Sequence, residues 1–207
     1  MENGVFLVFE GIDGSGKTTQ LRLLAQRMEK QGLPVYETRE PTDGPVGSLV
    51  NQALKKRLKL DECVLATLFA GDRLDHLLNS YNGICPKIEQ GIHVLCDRYY
   101  LSSYAYNGSK APFDWVMGLN SQAAQLLRPT AHIFVDVTPE VAVKRISANR
   151  QETELYETIE NLRAVREKFY EVFALLKEQE TIIIVNGDLP PEQVAEEVWE
   201  KVASLLI

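Results

Sequence analysis

The run Gly11-Ile12-Asp13-Gly14-Ser15-Gly16-Lys17-Thr18 has the spacing GxxxxGK[ST], which specifies a chemistry before any fold is known. Three glycines let the backbone wrap closely around phosphate groups, with its amides pointing inward and the positive end of a following helix behind them. Lys17 is expected to reach the β- and γ-phosphates of a nucleoside triphosphate, and the Thr18 hydroxyl to meet Mg²⁺. The bound nucleotide is therefore expected along Gly11, Asp13, Gly14, Ser15, Gly16, Lys17, Thr18 and Thr19. The plain alternative is a glycine-rich turn with an incidental lysine. It is disfavoured by the apolar strand before the motif and the helical pattern after it.

A phosphate grip alone does not separate a phosphotransferase from a nucleotide-operated switch, so a second site must be sought. Ile92-His-Val-Leu-Cys-Asp97 is an apolar run ending in a carboxylate, the arrangement that holds magnesium beside such a loop. Asp97 could instead cap the helix that follows. Arg98 comes next, and Arg39 ends the second apolar run. Both fall at the carboxyl ends of expected strands, where open α/β sheets place ligands, and either could equally be a surface ion-pair residue.

These groups need a scaffold. Five short, β-branched-rich runs read as buried strands: Val5 to Glu10, Pro34 to Arg39, Ile92 to Asp97, His132 to Val137 and Thr181 to Val185. Between them lie helical patterns at Thr18 to Lys30, Leu60 to Tyr81, Phe113 to Leu127, Pro139 to Ala148, Thr158 to Glu178 and Pro190 to Leu206. Alternation of this kind implies a parallel sheet covered by helices, because parallel neighbours require crossover connections. Ile159, Leu162, Val165, Phe169, Val172, Phe173 and Leu176 form one stripe on the long fifth helix, which must face the sheet. The polar stretch from Asn149 to Tyr156 suits a mobile flap between two helices.

A length of 207 residues, 45% hydrophobic and 25% charged, fits one compact domain spanning 1–207. The net charge of −7 argues against a broad basic face for nucleic acid. Phosphate binding must then rest on local arginines, lysine and backbone amides. Cys63, Cys85 and Cys96 are widely spaced, without a CxxC pair, and read as reduced thiols of a cytoplasmic protein. No signal-like N-terminus and no apolar run of membrane-spanning length is expected to function here.

Taken in order, Phe9-Glu10-Gly11-Ile12-Asp13, Thr38-Arg39-Glu40-Pro41, Leu68-Phe69-Ala70-Gly71-Asp72-Arg73, and Asp97-Arg98-Tyr99 with Ser102-Ser103 and Ala105-Tyr106 resemble thymidylate kinases as far as about Glu178. The resemblance implies an α/β, three-layer P-loop NTPase fold with a five-stranded parallel sheet and a short mobile lid at about 145–156. It implies transfer of the γ-phosphoryl group of ATP to dTMP, giving ADP and dTDP, with Mg²⁺ as cofactor, and a homodimer joined through the helices around Leu60 to Tyr81 and Phe113 to Leu127. On this likeness Phe69 stacks on the base and Arg73 hydrogen-bonds it. Arg39 and Arg98 clamp the acceptor phosphate, Asp13 accepts from the sugar 3′-hydroxyl, Ser102 or Ser103 faces the pyrimidine edge, and Tyr106 crowds the 2′ position. From periodicity alone, Phe69 and Tyr106 could be core residues, and the serines tolerated or capping.

Two patterns of arginine placement exist in that family, one inside the P-loop and one in the flap. Position 14 is glycine here, which resembles the flap pattern, although the segment is arginine-poor. Arg150 is the expected transition-state residue and Arg145 the expected neighbour of the adenine. Asn107 stands where the family commonly has glutamine. Rival readings are a kinase for another monophosphate or a deoxynucleoside, or a non-catalytic nucleotide switch. Asn186-Gly-Asp-Leu189 lacks the lysine of a guanine-specific element, which disfavours a GTPase.

Overall fold

The structure is a computed structural model in which residues 3–149 and 158–206 are described. Five strands, β1 (Phe6–Glu10), β2 (Val35–Arg39), β3 (His93–Asp97), β4 (Ala131–Asp136) and β5 (Ile182–Asn186), form one parallel sheet in the order β2-β3-β1-β4-β5. The described helices are α1 (Lys17–Lys30), α2 (Pro45–Leu54), α3 (Glu62–Leu78), α4 (Ile84–Glu89), α5 (Tyr100–Tyr106), α6 (Phe113–Leu126), α7 (Pro139–Asn149), α8 (Ile159–Leu176) and α9 (Pro191–Val202).

Side chains of a strand point alternately to its two faces, and β1 uses both. Phe6 and Val8 enter a core with Cys96, Phe134 and the α8 stripe of Leu162, Val165, Phe169 and Val172. Leu7 and Phe9 enter a second core with Leu21, Leu24 and Met28 of α1 and Val194 and Val198 of α9. The result is three layers, helix, sheet and helix, as the α/β expectation requires. The five runs are not equally buried, however. All of β1 is buried, whereas the edge strands β2 and β5 keep exposed positions because each has a single neighbour.

The carboxyl ends of three strands are level. Phe9 pairs with Asp97, and Arg39 pairs with Asp97 from the other side. This rung is where the chain leaves β1 for the glycine-rich loop, β3 for α5 and β2 for α2. Helix α2 packs Val50 and Ala53 against Leu65 of α3, beneath Leu68 and Phe69.

Candidate active site

The glycine-rich loop runs from β1 into α1. Gly11 (φ 145°) and Gly14 (φ 78°) lie where L side chains are strained. A Cβ at Gly14 would also sit 2.5 Å from the Ala142 carbonyl oxygen, and one at Gly11 2.8 Å from that of Val135. The closure against β4 and α7 therefore admits no side chain at either position. Lys17 is buried, and its Nζ donates to the Ile12 carbonyl at 2.9 Å. Burial pushes it down to about 8, helped by the neighbouring Arg98 guanidinium and opposed by Asp97 and Asp13. Thr18 Oγ1 donates to Asp97 Oδ2 at 2.5 Å.

That contact bears on the two readings of Asp97. Helix α5 opens at Tyr100, its cap residue Tyr99 makes no side-chain capping bond, and Asp97 faces the phosphate loop instead. A threonine hydroxyl and one carboxylate are hard oxygen donors of the kind Mg²⁺ takes together with substrate phosphates. Among the described residues no group of three or more His, Cys, Asp or Glu is placed to hold a metal unaided. The donor set fits magnesium bound jointly with a nucleotide.

Arg98 has φ 73°, a left-handed conformation uncommon outside glycine. The turn aims its side chain back at the phosphate loop. There NH2 donates to Asp13 Oδ1, while NH1 donates to Ser102 Oγ at 3.3 Å and to the Gly11 carbonyl at 3.4 Å. Burial works against its charge, but Asp13 outweighs that, with help from Tyr106 and Asp97, and raises its pKa well above the ordinary value. The Tyr106 hydroxyl donates to Asp13 Oδ2 and accepts from the Asp13 amide, each at 3.0 Å. Its ring packs edge-on toward Phe169 of α8. Tyr106 thus serves the core and the site together.

Behind this wall sits Glu10, fully buried at the end of β1. It accepts from Ser102 Oγ at 2.5 Å and from the Tyr99 amide at 3.1 Å. Burial pushes it up to about 7, against the Ser102 hydrogen bond and the charge of Arg98. Ser103 accepts instead from Arg73 NH1 at 3.0 Å. Arg73 is 1% exposed, and burial opposes its charge. Glu40 overcomes that opposition with contacts at 2.8 Å to Nε and 2.6 Å to NH2. Glu40 also meets His76 Nδ1 at 3.1 Å, and Asp72 anchors Thr42 through its amide (2.8 Å) and hydroxyl (2.5 Å).

One cavity of about 980 Å³ joins the phosphate loop to the Arg73 end of the site, with Glu10, Asp72 and His76 behind its wall. Lys17, Thr18, Thr19, Gly14, Ser15, Gly16, Asp13, Asp97 and Arg98 line it on the phosphate-loop side, and Arg39, Phe69, Arg73, Ser102, Ser103, Tyr106 and Asn107 line the remainder. Gly11 is not part of that lining; its carbonyl accepts from Arg98 NH1. Arg145 also lines it, and holds the Ser15 carbonyl at 3.3 Å and the Gly187 carbonyl at 2.9 Å. Arg39 keeps its side chain 64% exposed and paired with Asp43 at 2.7 Å, the surface ion pair named as its alternative. Arg150 and most of the expected flap lie outside the described residues.

Glu10, Glu40, Asp72, His76 and Asn120 belong to the site or its supports and were not among the expected residues. Their sequence signal is faint. Glu10, Asp72, His76 and Asn120 are polar residues inside an apolar run or a helix, where a buried polar group requires a partner, and Glu40 lies just past the end of β2.

The family profile described as thymidylate kinase matches residues 9–198. A probable thymidylate kinase of Pyrococcus abyssi is 37% identical over 201 residues, covering 94% of each chain. One from Pyrobaculum calidifontis is 36% identical over 195 residues, covering 94% of this chain and 93% of that one. A thymidylate kinase of Symbiobacterium thermophilum is 32% identical over 206 residues, covering 98% and 94%. With a phosphate loop, a magnesium-type oxygen pair and a buried arginine system around one cleft, and with that match over nearly its whole length, the chain belongs to the thymidylate kinase family.

Proposed function

We propose that this chain transfers the γ-phosphoryl group of ATP to dTMP, releasing ADP and dTDP. The observation that carries the reading is a single cleft with the phosphate loop and Arg98 along one wall, continued by Phe69, Arg73 and Ser103. A switch that only binds ATP has no need of the second half.

In this reading the acceptor phosphate is the nucleophile and is already ionised near neutral pH, so the residues position two anions and offset charge. Lys17 holds the β- and γ-phosphates, with the backbone of Gly11 to Gly16 and the Thr19 side of α1 around them. Thr18 and Asp97 would hold Mg²⁺, which when bound neutralises charge between the phosphates. Arg98 and Arg39 receive the acceptor phosphate. For Arg39 this means exchanging Asp43 for the substrate. Asp13 accepts from the 3′-hydroxyl and Tyr106 stands against the 2′ position. Phe69 stacks on the base, with Arg73, Ser102 or Ser103, and Asn107 at its edge. Arg145 lies against the adenine, and Arg150, in a lid at about 145–156, stabilises the transferring group.

We further propose a single kinase domain over 1–207 that acts in the cytoplasm as a homodimer. Three free cysteines suit a reducing compartment. Exposed Val64 and Leu78 on α3, with Trp115 and Leu126 on α6, support pairing through those helices. Among the described residues no helix is long and apolar enough to cross a membrane. The test is ADP release from ATP and Mg²⁺ with each common monophosphate and deoxynucleoside in turn. A dominant response to dTMP is expected, and release indifferent to every acceptor overturns the reading.

A further inference from the structure

A guanidinium carries five N–H hydrogens and no acceptor, so the donors of Arg73 can be counted. Nε gives its hydrogen to Glu40 Oε2 at 2.8 Å, and NH2 lies 2.6 Å from the same oxygen. NH1 donates to Ser103 Oγ at 3.0 Å and to Asn120 Oδ1. Three hydrogens are spent in hydrogen bonds to protein, and NH2 is held only by its ion pair with Glu40. Reorientation is blocked, because Arg73 is 1% exposed with the Tyr99 ring centroid 5.3 Å from its guanidinium carbon.

Asn120 is the unexpected member of this cage. It is 1% exposed in the middle of α6, an element that contributes no side chain to the cleft lining. Its Nδ2 donates to the Val116 carbonyl of its own helix at 2.8 Å. That bond fixes the amide with Oδ1 toward Arg73, the only orientation an all-donor partner accepts. A buried amide at such a position is costly unless both ends are matched, and here both are.

We infer that Asn120 is a positioning residue for base selection: with Glu40 and Ser103 it holds the Nε and NH1 donors of Arg73, so that NH2 is the donor end left for the acceptor base. This rests on the proposed dTMP acceptor. A donor end held in a fixed direction pairs with a ring carbonyl, as thymine and uracil offer at position 4, and meets an amino group, as in cytosine, donor against donor. With Asn120 removed, one NH1 hydrogen becomes unspent and the guanidinium loses its fixed direction, so both fit and discrimination suffer.

The experiment compares wild type, Asn120→Asp, Asn120→Leu and Asn120→Ser by kcat and KM for dTMP, dUMP and dCMP. Folding is checked by circular dichroism and by binding of a fluorescent ATP analogue. Asn120→Leu and Asn120→Ser are expected to raise KM for dTMP about tenfold with a smaller change in kcat. They are also expected to narrow the dTMP to dCMP preference in kcat/KM about tenfold. Asn120→Asp, which keeps the acceptor oxygens, is expected to stay within about threefold of wild type. Asn120→Ser covers the case in which leucine does not fit. Wild-type base preference in a folded Leu or Ser variant overturns the inference, as does a loss confined to kcat or an equal loss in Asn120→Asp. A wild-type enzyme that prefers an acceptor other than dTMP would instead refute the functional reading, and the two failures are separate measurements.

Discussion

Replacing Lys17 by methionine should make the empty protein more stable and the enzyme nearly inactive. Lys17 is 5% exposed, and its pKa falls from 10.5 to about 8 chiefly through burial. A depressed pKa contributes stability that is present above the unfolded value and is lost as pH falls through the folded one. At pH 7 the amine is charged in both states, and the difference between 10.5 and about 8, at 1.36 kcal/mol per pH unit, is a cost of about 3 kcal/mol to the fold. Methionine keeps the apolar stem and removes the charge. The Ile12 carbonyl that loses the ammonium still accepts from the Ser15 amide at 3.2 Å, so no buried acceptor is orphaned. A gain of about 1–3 kcal/mol should raise Tm by roughly 2–10 °C for a chain of this size. The gain should shrink as pH rises from 8 toward 10.5, which a mere packing improvement would not do. Turnover should fall by about 10²-fold or more, since a charge aimed at the transferring phosphates is lost. The assays are thermal unfolding without nucleotide across pH 7–10 and a coupled ADP assay. A lower Tm for Lys17→Met at pH 7, or a Tm difference independent of pH, would refute this account of the phosphate loop.

Glu10 gives the opposite sign. With its pKa raised from 4.5 to about 7 by burial, its stabilising contribution is complete below the lower value and is lost as pH rises through the upper one. The Tm of Glu10→Gln relative to wild type should therefore climb between pH 5 and 8, and a flat difference contradicts the assignment. Chelation of divalent cations should abolish turnover and Mg²⁺ restore it. Asp97→Asn should weaken the Mg²⁺ activation constant at least about tenfold with little change in fold, read from activity against free Mg²⁺.

Local patterns were legible and long-range pairings were not. The phosphate loop could be read because one strand, one turn and one helix contribute it in a single run, and the α8 stripe because seven apolar residues share a helical face. Helix α5 escaped because Tyr100–Tyr106 is rich in aromatic and hydroxyl residues with weak helix preference, and its burial on every side erases any amphipathic signal. Helix α4 escaped for its shortness, and α2 because Gly47, Ser48 and Asn51 weaken its helical signal. At the site, Lys17, Thr18, Asp97 and Arg98 were visible from type and position. The cage on Arg73 joins residues 33 and 47 positions away, a link that no spacing rule encodes. Arg39 was identifiable as a cleft residue, but its partner Asp43 depends on the rotamer it adopts when no substrate competes.

The level rung of Phe9, Asp97 and Arg39 acts as a ruler. Neighbouring strands lie about 4.8 Å apart, so the lateral offset between the start of the phosphate loop and the arginine two strands away is set by the hydrogen-bond lattice of the sheet rather than by flexible connections. Surface loops can lengthen or shorten without altering that offset. A one-residue slip of β3 would move Asp97 off Thr18 and turn its alternate side chains to the wrong face, so tolerance to insertion should collapse within β3 and recover immediately outside it.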